Sequence, residues 1–168
     1  MIAGAKYLHT NLIARDWQRV VRFYVDVFGC EAVPPERDLF GADFERGAGL
    51  PGARARGVHL RLPGGGDGPT LEVFQYTDPA PDVAAQVHRP GFAHIAYAVA
   101  SVEQAREDVI AAGGASVGEV VTTVITTGDR ITWCYVTDPE ENIVELQSCN
   151  LSNRPCPQRT RTGRGRSP

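Results

Sequence analysis

Several signals are missing from these 168 residues, and each absence narrows the reading. No apolar run approaches the ~20 residues that span a bilayer. The N-terminus does not set a basic patch before an apolar stretch, so neither a signal peptide nor a membrane span is expected, and a cytoplasmic location is. No two of the four cysteines (Cys30, Cys134, Cys149, Cys156) form a C-x-x-C pair. That removes zinc knuckles and dithiol redox motifs, and in a reducing compartment they read as free thiols. The net charge is only -3, so nothing global calls for nucleic acid. Histidine is scarce too: His9, His59, His88 and His94 are the four. What is present is ordinary for a soluble globular protein, with 42% hydrophobic and 22% charged residues. The length fits one domain, or two small modules sharing a core.

The apolar stretch Gly91-Phe-Ala-His94-Ile-Ala-Tyr-Ala-Val99 carries one of those histidines. A histidine there is either a core residue satisfied by a hydrogen bond or a ligand, and the rest of the chain has to decide. Residues 5–13 alternate loosely and predict a strand. Asp16 is an N-cap, Trp17, Val20, Val21, Tyr24, Val25 and Phe28 recur at helical spacing, and Gly29 is a C-cap. Residues 34–57 have little periodicity and read as a strand fragment at Leu39–Phe44 followed by a loop. Gly57–Leu62, on which His59 stands opposite Val58 and Leu60 and faces either a cavity or solvent, and Thr70–Tyr76 are strands joined by a Gly/Pro turn, and Thr77–Pro90 is a connector. The order then begins again: strand Gly91–Val99, helix Ser101–Ala112 with Val102, Ala105, Val109 and Ile110 as its apolar stripe, and strands at Val117–Thr126, Ile131–Thr137 and Ile143–Ser148. The tail from residue 150 is Arg-, Gly- and Pro-rich and is expected to be disordered.

Each half therefore reads strand, helix, three strands. His9 and His94 are 85 residues apart, and so are the helix-ending Gly29 and Gly114. Glu72 and Glu145 occupy the last strand of each half, 73 apart, so the second half has lost 12 residues from its loops. The repeat equates His with His and Glu with Glu. Alternation puts each on the strand face away from the helices: His9 with Asn11, Glu72 with Phe74 and Tyr76, Glu145 with Ile143 and Gln147. Carboxylates in such settings need each other or a cation. Two imidazoles and two carboxylates suit Zn, Ni, Co, Mn or Fe(II), without selecting one.

At these residues the sequence resembles the vicinal oxygen chelate superfamily, which includes glyoxalase I, methylmalonyl-CoA epimerase, bleomycin-binding proteins and extradiol dioxygenases. The resemblance covers residues 5–149 and rests on His9 with its following helix, Leu71–Tyr76, Gly91–Val99 and Tyr135–Gln147. Where the family turn carries Gly, this chain has Glu141, at a position where φ > 0 is expected. The resemblance implies an α+β fold of two βαβββ modules (residues 5–76 and 91–148) whose sheets curve around a metal, within one domain 1–149. It implies one divalent ion held by His9, Glu72, His94 and Glu145. It implies a lyase, isomerase or epimerase that moves a proton next to a carbonyl through a metal-stabilised enediolate, with Glu145 as base and Glu72 as its partner. A metal-free binding protein and an Fe(II) extradiol dioxygenase are the alternatives. Asn11, Phe74, Tyr76, Phe92 and Trp133 are candidates to line the substrate pocket, and Arg37, Arg61, Arg89 and Arg130 to stand at its rim. The partner is a small-molecule substrate, and a homodimer is expected.

Overall fold

Asp16 accepts a hydrogen bond from Arg19 N at 3.0 Å and Gly29 takes up the left-handed conformation (φ 67°), so helix α1 (Trp17–Phe28) begins and ends where its caps place it. The computed structural model describes residue 2 and residues 4–81, 83–124 and 128–150. The expected basic tail from residue 151 onward, and positions 125–127 of the expected strand 117–126, lie outside the described residues. Before α1 comes strand β1 (His9–Ile13). After it come β2 (Glu31–Leu39), helix α2 (Ala42–Ala48), β3 (Ala55–Arg61) and β4 (Thr70–Tyr76). The second half supplies β5 (Ile95–Ala98), helix α3 (Val102–Ala111), β6 (Ala115–Ser116), β7 (Val121–Val124), β8 (Arg130–Thr137) and β9 (Ile143–Asn150). No helix among the described residues is long and apolar enough to cross a membrane.

The strands form two mixed sheets, so the fold is α+β. One has the order β1-β4-β3-β2, the other β5-β9-β8-β6 with β7 also on β8. In each, the first strand lies parallel to the last, β1 on β4 and β5 on β9, and the remaining pairs are antiparallel. The repeat read from the histidines and glutamates is thus also a repeat of topology.

Three local readings are corrected. The expected strand fragment at Leu39–Phe44 is not a strand: β2 ends at Leu39 and helix α2 begins at Ala42. Pro34 and Pro35 conceal β2 in the sequence. They are tolerated because β2 is an edge strand bonded only to β3, and the pairing register shifts between Val33 and Arg37. Helix α2 has Asp43 and Glu45 in its first turn and Arg46 in its last, which suits the helix dipole. Strand β5 starts at Ile95, not Gly91, because its partner β9 starts at Ile143, straight after the Asp138–Asn142 turn; His94 therefore stands just before the strand. Ile110 is 43% exposed and does not belong to the apolar stripe of α3, whose buried residues are Val102 and Val109.

The two halves share one core through α1. Val20, Phe23 and Tyr24 pack with Val58, Leu60, Leu71 and Val73 of the first sheet. Phe28 stacks on Tyr97 of the second half with ring centroids 4.0 Å apart, and Tyr24 donates to Asp138 Oδ2 at 3.3 Å. The carboxylate of Glu140 accepts from Arg15 N (2.6 Å) and Asp16 N (2.7 Å) at the start of α1. The Asp138–Asn142 turn thus grips the first half from the second. Cys30 and Cys134 are buried free thiols, and burial raises the pKa of both.

Within that turn Glu141 has φ 69°, the one non-glycine in the left-handed region among the described residues. A side chain there costs ~1–2 kcal/mol, while glycine adds ~0.5–1 kcal/mol of unfolded-chain entropy. Glu141→Gly is therefore expected to raise stability by up to about 1 kcal/mol, read as a higher urea midpoint at unchanged slope.

Candidate metal centre

Glu72 sits in the middle of β4, with β1 on one side and β3 on the other. The parallel register puts Asn11 beside it, and the antiparallel register puts His59 directly opposite. Both carboxylate oxygens are engaged. Oε2 accepts from Asn11 Nδ2 at 2.9 Å and lies 3.0 Å from His9 Nε2. Oε1 lies 2.8 Å from His59 Nε2. The His9 and His59 rings meet edge to face at 5.6 Å, and the donor atoms of His9, His59 and Glu72 all fall within 4.8 Å of one another. His59 Nδ1 is 2.9 Å from Thr70 Oγ1. Burial pushes the His59 pKa below its ordinary value, with Arg37 and His9 adding to this and Glu72 opposing it. His9 Nδ1 is buried and has no hydrogen-bond partner among the described residues, while Nε2 is turned to the carboxylate.

The second half repeats the pair with less support. His94 Nε2 lies 2.9 Å from Glu145 Oε2. The residue beside Glu145 on the parallel strand is Ala96, where the first half has Asn11, and the residue opposite is Tyr135, where the first half has His59. Tyr135 lies against the His94 ring, centroids 5.1 Å apart, and against Trp133. Among the described residues Glu72 is thus held from three sides, and Glu145 by one imidazole.

The four residues that sequence reasoning groups together fall into two pairs, His9 with Glu72 and His94 with Glu145. Among the described residues the pairs do not join into one cluster within a single chain. His59 is the residue sequence reasoning left undecided between cavity and solvent. Its signal was its alternation on β3 with the buried Val58 and Leu60, which turns it to the face Glu72 uses. Of the pocket candidates, Asn11 bonds Glu72, and Phe74 is buried beside His59 with its ring over Gly57, where an added Cβ would collide with it. Tyr76 stacks with Phe44 and faces a separate cavity of about 720 Å³ with Trp17 and Arg37. Trp133 donates to Thr123 Oγ1, and Phe92 stands fully in solvent. Arg61 is paired with Glu31.

A family model described as Glyoxalase/Bleomycin resistance protein/Dioxygenase superfamily matches residues 6–146. The chain belongs to that superfamily. None of the curated proteins matches it. Among solved structures, a glyoxalase family protein from Bacillus cereus aligns with TM-score 0.74 at 16% identity, over 89% of this chain and 99% of that one. A glyoxylase/bleomycin resistance protein/dioxygenase domain from Frankia sp. EAN1pec gives 0.54 at 17% identity, over 89% and 94%. The genomically encoded fosfomycin resistance protein FosX from Listeria monocytogenes gives 0.53 at 17%, over 92% and 97%. At these identities the likeness shows the fold.

Members of this glyoxalase superfamily often bind a divalent metal, and the donors here fit one. An imidazole Nε2 lies beside a carboxylate oxygen at His9–Glu72 and again at His94–Glu145, and such donor pairs suit borderline divalent ions.

Proposed function

We propose that this glyoxalase-superfamily chain is a divalent-metal-dependent isomerase, epimerase or lyase that moves a proton on a carbon next to a carbonyl. The observation that carries this is the duplicated His–Glu pair with unequal support. Three side chains lie against Glu72, as suits a ligand, while one lies against Glu145, as suits a group that must approach substrate and change protonation. In this reading His9, Glu72, His94 and Glu145 hold the ion. Bound there, it supplies positive charge that offsets the charge developing on the substrate's oxygens. Glu145 removes the carbon-bound proton, Glu72 keeps its orientation through Asn11 and His59, and Phe74 closes the floor of the site beside His59.

The two pairs come to one ion when two copies associate. Among the described residues strands β1 and β5 are both sheet edges, each bonded on one side only, and Ile13 at the end of β1 and Tyr7 and Leu8 just before it are exposed. Such edges are templates for pairing, so the functional unit in this reading is a homodimer acting on a small molecule.

Elemental analysis of protein purified without chelator tests this first. The expected result is about one divalent ion per chain in a dimer on gel filtration, removed by EDTA together with solvent deuterium exchange into α-hydroxyketones or thioesters. Ligand binding indifferent to EDTA, with no stoichiometric metal, would make it a binding protein. Fe(II)-dependent oxygen uptake with catechols would make it a dioxygenase.

A further inference from the structure

The first half of the site holds a third side chain on Glu72 that the second half replaces with tyrosine. His59 is the direct cross-strand partner of Glu72, and Tyr135 is that of Glu145. His59 is bonded at both ends: Nε2 lies 2.8 Å from Glu72 Oε1, and Nδ1 lies 2.9 Å from Thr70 Oγ1. Its side chain is only 19% exposed, and the edge of the Phe74 ring lies against it.

We propose that His59 is a positioning residue that fixes Glu72 through a Thr70–His59–Glu72 chain, and that it is not itself a metal ligand. This rests on the metal reading above. The argument is one of donors and acceptors. A carboxylate oxygen only accepts, so a nitrogen 2.8 Å from it must carry the proton. In a neutral ring Nδ1 is then an acceptor, and the Thr70 hydroxyl, which can donate, stands at hydrogen-bond distance from it. With the proton on Nε2, Glu72 Oε1 accepts from the ring at one end and the Thr70 hydroxyl donates to it at the other, and Oε1 is committed to His59. Oε2 is shared by Asn11 Nδ2 and His9 Nε2, and His9 differs from His59 in that its Nδ1 has no partner among the described residues to fix the ring proton, so His9 is the imidazole that can turn Nε2 to an ion beside Oε2. Imidazole and carboxylate neighbours that orient a ligand change metal affinity by roughly 10–100-fold when removed. The geometry also explains why the first half carries Asn11 and His59 where the second carries Ala96 and Tyr135. Glu72 is held still between them, whereas Glu145 keeps freedom to move a proton.

The test uses the full chain, stripped with EDTA and titrated with Zn²⁺. Long-range proton–nitrogen NMR of the histidine rings should show the His59 proton on Nε2 in the metal-free protein and still there at saturating Zn²⁺. His59→Leu should weaken Zn²⁺, measured against a chromogenic chelator, by roughly 10–100-fold. His59→Gln, whose amide can still donate to Oε1, should recover most of that loss, and Thr70→Val should lose part of it. In a Glu72→Ala background His59→Leu should cost little more, because its only route to the ion is gone. A ring proton on Nδ1 with Zn²⁺ on Nε2 would overturn the proposal by making His59 a ligand. So would losses that multiply in the double variant, or a His59→Leu affinity equal to that of the unmodified chain. If the unmodified chain binds no Zn²⁺ while the ring proton still sits on Nε2, the metal reading fails instead, and the role of His59 toward an ion falls with it.

Discussion

Glu145→Gln is expected to slow proton abstraction by about 10²–10⁴-fold, the usual contribution of a positioned general base. The substitution keeps size and a carbonyl oxygen but removes the acceptor for the proton. The partner that has to give way is His94, whose Nε2 lies 2.9 Å from Oε2 and can donate equally well to an amide oxygen. Metal content should therefore persist while exchange is lost. Glu72→Gln should behave differently. Asn11, His9 and His59 all turn nitrogens toward the two oxygens of Glu72, and an amide presents its own NH₂ to one side of them. Its main effect is on ion binding. The measurement is deuterium incorporation from D₂O into a confirmed substrate, with metal content determined in the same samples. Full exchange in Glu145→Gln together with loss in metal-loaded Glu72→Gln would move the base to the first half.

Asp138→Asn is expected to cost roughly 1.5–3 kcal/mol, the range for hydrogen bonds to a charged group and for buried donors left unsatisfied. Asp138 is 2% exposed and accepts four hydrogen bonds: from Glu140 N (2.8 Å), Asn142 N (3.0 Å), Asn142 Nδ2 (2.8 Å) and Tyr24 OH. Asparagine can supply one acceptor oxygen, and its NH₂ faces donors on the other side. The damage reaches both halves, because the Tyr24 contact and the adjacent Glu140 contacts join the Phe28–Tyr97 stack in tying α1 to the second half. The same carboxyl has a pH signature. Burial raises its pKa above the ordinary carboxylate value, with the bonds from Asn142, Glu140 and Tyr24 opposing. The folded chain then holds this proton more tightly than the unfolded one. The stability this group contributes is full below the ordinary carboxylate pKa and declines as pH rises through the raised value. Urea denaturation across acidic to neutral pH should show that decline in the unmodified chain and its absence in Asp138→Asn. An Asp138→Asn midpoint unchanged at neutral pH would show that the turn does not depend on this carboxylate.

Much of the fold is legible in the chain because its signals are local. Asp16 and Gly29 bracket α1, and the alternation in Thr70–Tyr76 makes β4, while the left-handed position of Glu141 is legible only through the family resemblance. Where the reading fails, a long-range partner decides. Two prolines argue against a strand at 34–35 until β2 is seen to be an edge with a register shift. The first residues of Gly91–Val99 look like strand until β9 is seen to start too late to pair with them.

The candidate site divides the same way. Sequence alone determined the family, the two-fold repeat, and the equivalence of His9 with His94 and Glu72 with Glu145, because a repeat survives as spacing. It left His59 undecided, since one histidine on an alternating strand has no equivalent to mark it. Only the tertiary structure decided that His59 stands across from Glu72 and that Tyr135 stands across from Glu145. It also separated the four candidates into a tightly held pair and a lightly held one. The physical reason is that register between strands is fixed by turns and packing elsewhere in the chain, and cross-strand contacts depend on register rather than on the residues that make them.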